Sequence, residues 1–398
     1  MRQRICLTLT MTLAIVAAHC VGQAPTAPDQ QRQTALALEQ QGESSEAEAA
    51  WRLYMKAHPS SPEPYAHLGL LEARQERYKE AVLFYRRALA LNPAIPGLRL
   101  DLGLALFKGG EPKQAIVEFK LLLKSQPPGS REAQQLTMLL GMAHYGLEEY
   151  AAAAPYLKQA AAHDPQNLPL RLALAHSCLW SKQYQCVLDT YHEILMLNAE
   201  SAEADMLAGE AQDELKNTGD AVQEFRDAEK ANPREPDVHF GLGYLLWRLR
   251  QYEEAAQEFQ AELANNPEHG QAMAYLGDTE MKLGQPEAAL PLLEKAIRID
   301  PRNELAHLDL GTLYGNVGRQ DEALRELKIA EELSPNDKNV HWRLGRFYQT
   351  TGRKDEAKIE FDKTRSLQKA ADDAVVDKMG GAQAKGRPAQ QPAAEPGK

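Results

Sequence analysis

Cysteine is scarce: the chain of 398 residues holds four. So few exclude a small scaffold held by a framework of disulfides. A surplus of positive charge is also missing. Forty-five Lys and Arg stand against 56 Asp and Glu, for a net charge of −11. That balance argues against a nucleic-acid backbone as the partner, since such a partner calls for a basic face. No apolar run reaches the roughly 20 residues of a membrane-spanning helix. Signatures of catalysis are absent too. There is no Gly-x-x-x-x-Gly-Lys-Ser/Thr phosphate loop, no His-Glu-x-x-His pair and no Gly-x-Ser-x-Gly turn. What remains is 43% hydrophobic and 25% charged, an ordinary globular composition.

The two ends differ from the rest. Arg2 and Arg4 precede an apolar stretch from Ile5 to Ala18, and small residues follow it. A basic start, a short apolar run and small residues make an export signal, assigned to residues 1–24 with cleavage near Gly22 or Ala24. Pro25 disfavours the second cut. A lipid on Cys20 is the alternative, although His19 stands where a small residue is expected. The mature protein is therefore expected in the periplasm or outside the cell, with no membrane span after signal removal. At the other end, residues 370–398 are expected to form a short helix extension to about Met379, stopped by Gly380 and Gly381. A disordered tail rich in Gly, Ala, Gln and Pro then follows.

Between the ends the sequence repeats itself. Pro59, Pro93 and Pro127 lie 34 residues apart, Pro165 follows after 38, and Ala199, Pro233, Pro267, Pro301 and Pro335 return to 34. A small residue precedes each marker by 24 positions, as Gly69, Gly103, Gly141, Ala175, Gly209, Gly243, Gly277 and Gly311. A second small column includes Ala81, Ala115, Ala221, Ala255, Ala289 and Ala323, and a large column includes Trp51, Tyr85, Phe119, Phe225, Phe259 and Leu327. Within each period the apolar residues recur at i, i+3, i+4 and i+7, the helical rule. A fixed period of this size indicates a solenoid of stacked helix pairs. The glycine at the eighth position weakens its helix, so it implies a close approach. The expected neighbour is the small residue at the twentieth position. The four extra residues near Pro127–Ser130 predict one longer joint.

This pattern resembles the tetratricopeptide repeat, most plainly from Glu304 to Pro335, and the likeness runs over about residues 25–369 as ten units. The resemblance implies an all-α fold: an α-solenoid, a right-handed superhelix of helix-turn-helix units whose first helices line a concave groove. It also implies that positions 2, 5, 9, 12 and 13 of each first helix face that groove. The candidate partner-binding residues are then Leu104, Phe107, Met138, Met142, Tyr145, His176, Trp180, Met206, Phe240, Tyr244 and Trp247, with Glu203, Glu210, Asp213, Glu214, Asp237 and Asp278 interleaved. Chaperone-binding members hold a terminal carboxylate with Lys and Asn at positions 5 and 9. Those positions are mostly apolar here, so that activity is not carried over.

No cofactor, metal or catalytic residue is indicated. His239, His307 and His341 share the fourth position of their repeats, so the repeat template accounts for them better than metal ligation does. Cys178 and Cys186 lie eight apart on different helices of one repeat. The nineteenth position of a repeat usually faces solvent, which favours free thiols over a bridge. The expectation is a non-catalytic exported scaffold for envelope assembly, secretion or surface-polymer export. It would bind a protein or extended peptide of apolar and basic character. A groove that guides a polysaccharide is the alternative.

Overall fold

The computed structural model describes residues 27–385. The segment expected to be an export signal, with Cys20, and the end of the tail lie outside these residues. Among the described residues there are twenty α-helices and no strand. They form ten consecutive pairs, as the period requires. The chain divides into two compact units, which meet in sequence at Ala160 and Ala161.

The first unit holds α1 (Ala27–Gln41), α2 (Ser44–Ala57), α3 (Glu63–Arg74), α4 (Tyr78–Leu91), α5 (Leu98–Lys108), α6 (Pro112–Leu123), α7 (Arg131–Tyr145) and most of α8 (Tyr150–His163). Each helix from α1 to α7 packs on its neighbour in sequence, and α3 also touches α5. Trp51, Tyr85 and Phe119 are fully buried. The inserted residues fall in the connection between α6 and α7. There Gly129 takes a φ of +79° and the Ser130 hydroxyl accepts from the Ala133 N–H at 3.1 Å, capping α7.

The second unit holds α9 (Leu168–Trp180), α10 (Tyr184–Leu195), α11 (Ala202–Glu214), α12 (Thr218–Ala231), α13 (Val238–Arg248), α14 (Tyr252–Asn265), α15 (Gly270–Lys282), α16 (Pro286–Ile299), α17 (Glu304–Asn316), α18 (Gln320–Leu333), α19 (Lys338–Thr350) and α20 (Lys354–Lys385). Successive first helices α9, α11, α13, α15, α17 and α19 touch one another as well as their own partners. That contact pattern makes the unit an all-α solenoid.

Packing corrects one expectation about the glycine column. A Cβ on Gly243 would stand 2.8 Å from the Phe259 ring, and one on Gly311 would stand 2.6 Å from Leu327. The same holds for Gly69 against Tyr85 and Gly103 against Phe119, both at 2.5 Å. The residue that needs the glycine is thus the large one at position 24, not the small one at position 20. A ring or isobutyl group lies flat against the bare backbone of the first helix, and the fully buried alanines at position 20 leave room for it.

The first helix turns into the second through one residue of left-handed backbone in every repeat. That residue is Gly42, Gly110, Gly284, Gly318 or Gly352 in half of them. In the others it is Glu76, Glu148, Lys182, Lys216 or Arg250, each with φ between 58° and 69°. At the C-terminal end α20 runs through Gly380 and Gly381 to Lys385. The sequence reading stops it at Met379. Glycine costs a helix about 1 kcal/mol relative to alanine but removes no hydrogen bond, so two glycines among good helix formers do not end it.

Candidate functional site

In the second unit, the exposed edges of α9, α11 and α13 enclose an open cleft of about 370 Å³. Four of the sequence-predicted residues meet there: Trp180, Met206, Phe240 and Tyr244. Trp180 is 63% exposed at the rim. Phe240 is held from behind, with its ring centroid 4.8 Å from His269 and 5.9 Å from Tyr275. Glu210, Asp213, Glu214 and Asp237 complete the wall, with Lys182 opposite in charge. Protein on either side of Glu210 partly desolvates it. With Asp237 near, this keeps its carboxyl above its ordinary value, and His176 opposes. Tyr184 donates to Glu214 at 3.3 Å. The Asp213 carboxylate receives Arg248.

One wall of this cleft is covalently fastened. Cys178 and Cys186 form a disulfide with a Cα–Cα distance of 5.8 Å. This overturns the preference for free thiols. Cys178 is fully buried near the end of α9, and Cys186 lies at the start of α10, where the antiparallel helices come together. Leu179, Trp180, Lys182 and Tyr184, all wall residues, lie between the two cysteines.

The other candidates are distributed differently. Trp247 faces the next stretch of groove. Tyr244 stacks against it at 6.1 Å, Tyr275 meets it edge-on at 5.1 Å, and its indole N–H donates to Asp278 at 2.6 Å. It is thus partly a joint between repeats. Asp278 is buried rather than offered to a partner. Its carboxylate is taken by Trp247 and by the Lys282 ammonium at 2.6 Å. His176 pairs with Glu203 at 2.9 Å. Leu104, Phe107, Met138, Met142 and Tyr145 belong to the first unit and are half-buried. Leu104 and Phe107 pack on its core, and Tyr145 meets Tyr150 edge-on at 5.9 Å.

The shared histidines have a structural task. Nδ1 of His239, His307 and His341 meets a carboxylate of Glu258, Glu326 or Glu360 at 2.7, 2.7 and 2.6 Å. Nε2 of each donates to the carbonyl of Pro233, Pro301 or Pro335 at 3.0, 3.1 and 2.8 Å. Both ring nitrogens are engaged in tying a first helix to its second helix and to the turn before it. A second carboxylate, Glu229 or Glu331, lies 4.0 or 3.9 Å from Nδ1 of His239 or His341, so each of these two clusters gathers one imidazole and two carboxylates.

Sequence reasoning missed Lys182 and Tyr184 of the cleft, because they stand in the turn and at the start of a second helix. On the first helices of the last three repeats it named only Asp278 as a groove residue. There Lys282, Trp342 and Arg346 occupy groove positions 13, 5 and 9, so the template itself carried the signal.

Helix pairs stacked in register, with an open cleft on their first helices, define a repeat scaffold. Matches to the tetratricopeptide repeat family cover residues 32–96, 206–265, 240–304 and 308–374, and others cover 72–139, 145–211 and 280–330. The chain belongs to the tetratricopeptide repeat family. A search of curated proteins returned no match. Among solved structures, a tetratricopeptide repeat protein from Parabacteroides merdae is 17% identical with a TM-score of 0.48, over 63% of this chain and 97% of that one. YrrB, described as a tetratricopeptide repeat protein with an unusual peptide-binding site, is 23% identical with a TM-score of 0.38, over 48% and 97% of the two chains. MamA from Desulfovibrio magneticus is 21% identical with a TM-score of 0.37, over 42% and 96%. These likenesses concern the fold. Among the described residues no helix is long and apolar enough to cross a membrane.

Proposed function

We propose that the protein is an exported, non-catalytic scaffold that binds another protein. The cleft of α9, α11 and α13 would take an extended segment that carries apolar and basic side chains. One observation carries this reading: Trp180, Met206, Phe240 and Tyr244 converge on an open cleft whose rim holds four carboxylates. Aromatic and Met side chains give broad, adaptable contact. The carboxylates favour a cationic partner and disfavour an anionic one. Of the aromatics on which a saccharide could stack, Trp247 is already engaged by Tyr244 and by Lys282, whose ammonium lies 5.5 Å from its ring centroid, while Trp180 keeps an exposed ring. The work of such a scaffold would be assembly at the cell envelope, secretion or export of a surface polymer. N-terminal sequencing of protein from its host tests the exported part, with a start near residues 22–24 expected.

The binding part is tested by crosslinking in the native cell followed by mass spectrometry, with Trp180→Ala/Tyr244→Ala as the variant. The partner should crosslink to the cleft, and the variant should lower its recovery at least tenfold, about 1.4 kcal/mol, with its circular dichroism unchanged. Full recovery by the folded variant moves the binding site elsewhere.

A further inference from the structure

Beyond the acidic cleft the same face changes sign. A second cleft of about 510 Å³ is lined by Arg248, Arg250, Lys282 and Arg343, with Trp247, Tyr252 and Trp342 among them. A third, of about 400 Å³, shares Trp342 and Arg343 with it and adds Arg346 and Thr350. The two meet along α19 and form one basic, aromatic stretch over α13, α15, α17 and α19. The single carboxylate in its lining, Asp278, is already taken by Lys282 and Trp247.

The charges in this stretch fall into two groups. Some are fixed from below. Arg343 contacts the buried Asp309 carboxylate at 3.0 Å and donates to Thr312 at 2.7 Å, while Lys282 is held by Asp278. Others are exposed and uncommitted. Arg250 and Arg346 form no ion pair among the described residues. Arg346 lies over the Trp342 ring at 5.6 Å, and Trp342 is 49% exposed. Uncommitted guanidinium groups beside an open indole suit a carboxylate-bearing side chain with an apolar neighbour.

The two stretches are continuous through α13. Tyr244 lines the acidic cleft while Trp247, stacked on it, and Arg248 line the basic one. Arg248 even reaches back to Asp213 of the acidic wall. A single occupant would therefore pass from one sign of charge to the other.

We propose that this basic stretch is a second binding site, for aspartate and glutamate side chains. It would take the acidic part of the same extended protein segment whose basic and apolar part fills the α9–α11–α13 cleft. The inference rests on the protein-binding reading above and adds a charge order to the partner. Neighbouring helices lie about 10 Å apart and an extended chain advances about 3.3 Å per residue. The groove from α9 to α19, five such steps, thus calls for a segment of about fifteen residues.

The test uses the full mature chain and fluorescence anisotropy with three labelled synthetic peptides. One alternates Lys with Leu, one alternates Asp with Leu, and one of about fifteen residues joins the two halves. The wild type should bind both simple peptides, and the joined one more than tenfold tighter than either. Arg250→Glu/Arg346→Glu should weaken the Asp–Leu peptide at least tenfold and leave the Lys–Leu peptide unchanged. The proposal is overturned if the Lys–Leu peptide binds and the Asp–Leu peptide does not, or if the variant binds the Asp–Leu peptide as the wild type does. Binding of a polyuronate chain in place of the acidic peptide also overturns it. If neither peptide binds and crosslinking captures no protein, the protein-binding reading itself fails.

Discussion

The acidic cleft over α9, α11 and α13 and the basic stretch over α13 to α19 are built on one template. Position 9 of the first helix is Glu210 in one of them; four repeats later it is Arg346. Position 5 is Met206 in the first and Trp342 in the second. The columns that hold each pair together do not change: Gly209 faces Phe225 as Gly345 faces Phe361. The supports beneath the two stretches differ. A disulfide fastens the wall of the acidic cleft, whereas a buried ionic cluster, Asp278 and Asp309 with Lys282 and Arg343, lies under the basic one. A repeat fold separates what it needs to fold from what it offers a partner, and so neighbouring repeats can carry opposite charge on one surface.

The largest expected effect tests the support of the basic stretch. Asp309 is fully buried, and burial pushes its carboxyl up to about 7, against Arg343 and with Asp278 adding to the rise. A carboxyl raised in the fold binds its proton more tightly there than in the unfolded chain. The stability it contributes is present below pH of about 4 and is lost as pH rises through about 7. The loss falls between about pH 4 and about pH 7. Asp309→Asn keeps the shape without the charge. In urea unfolding, the variant should lose less stability than the wild type over that range. Equal loss in both proteins would place the pH dependence elsewhere.

A similar step tests the support of the acidic cleft. A disulfide closing a loop as short as Cys178–Cys186 stabilises by about 2.5 kcal/mol through loss of chain entropy in the unfolded state. Four wall residues lie inside that loop, so freeing it also loosens the wall. Cys178→Ser/Cys186→Ser should weaken the Lys–Leu peptide severalfold and leave the Asp–Leu peptide unaffected, read by the same anisotropy assay. A uniform loss would mean that the two stretches are not independent.

Much of this arrangement is legible in the sequence alone. The period placed every helix pair, because Gly, Ala and a large apolar residue recur only where a second helix must lie on a first. The resemblance to the repeat family added that positions 5, 9 and 13 of the first helices share one surface, which put Trp180, Met206, Phe240 and Tyr244 together. It did not show which large residues become joints. Trp247 and Tyr244 occupy groove positions alike, and only the acceptor on Asp278 and the ring of Tyr275, both from the next repeat, draw Trp247 inward. Asp278 read as an offered charge for the same reason: its partners Lys282 and Trp247 meet it only in three dimensions. The disulfide ran against a position preference that holds for polar side chains and not for a pair of thiols.

The smallest effect separates strain kept for binding from strain without a use. Lys182, Lys216 and Arg250 all adopt left-handed backbone where other repeats carry glycine. A side chain there costs about 1–2 kcal/mol, and glycine would relieve it while giving the unfolded chain about 0.4–1 kcal/mol more freedom. The net gain from substitution is therefore about 0.5–1 kcal/mol. Lys182 and Arg250 each line a cleft, whereas Lys216 is exposed and lines neither. Lys216→Gly should raise stability in chemical unfolding and leave both peptides bound as before. Arg250→Gly should raise it by a similar amount and weaken the Asp–Leu peptide, because the relieved turn has lost an uncommitted guanidinium. If Arg250→Gly only stabilises, the arginine contributes nothing to the groove, and the basic stretch must rest on Arg346 and the charges fixed beneath it.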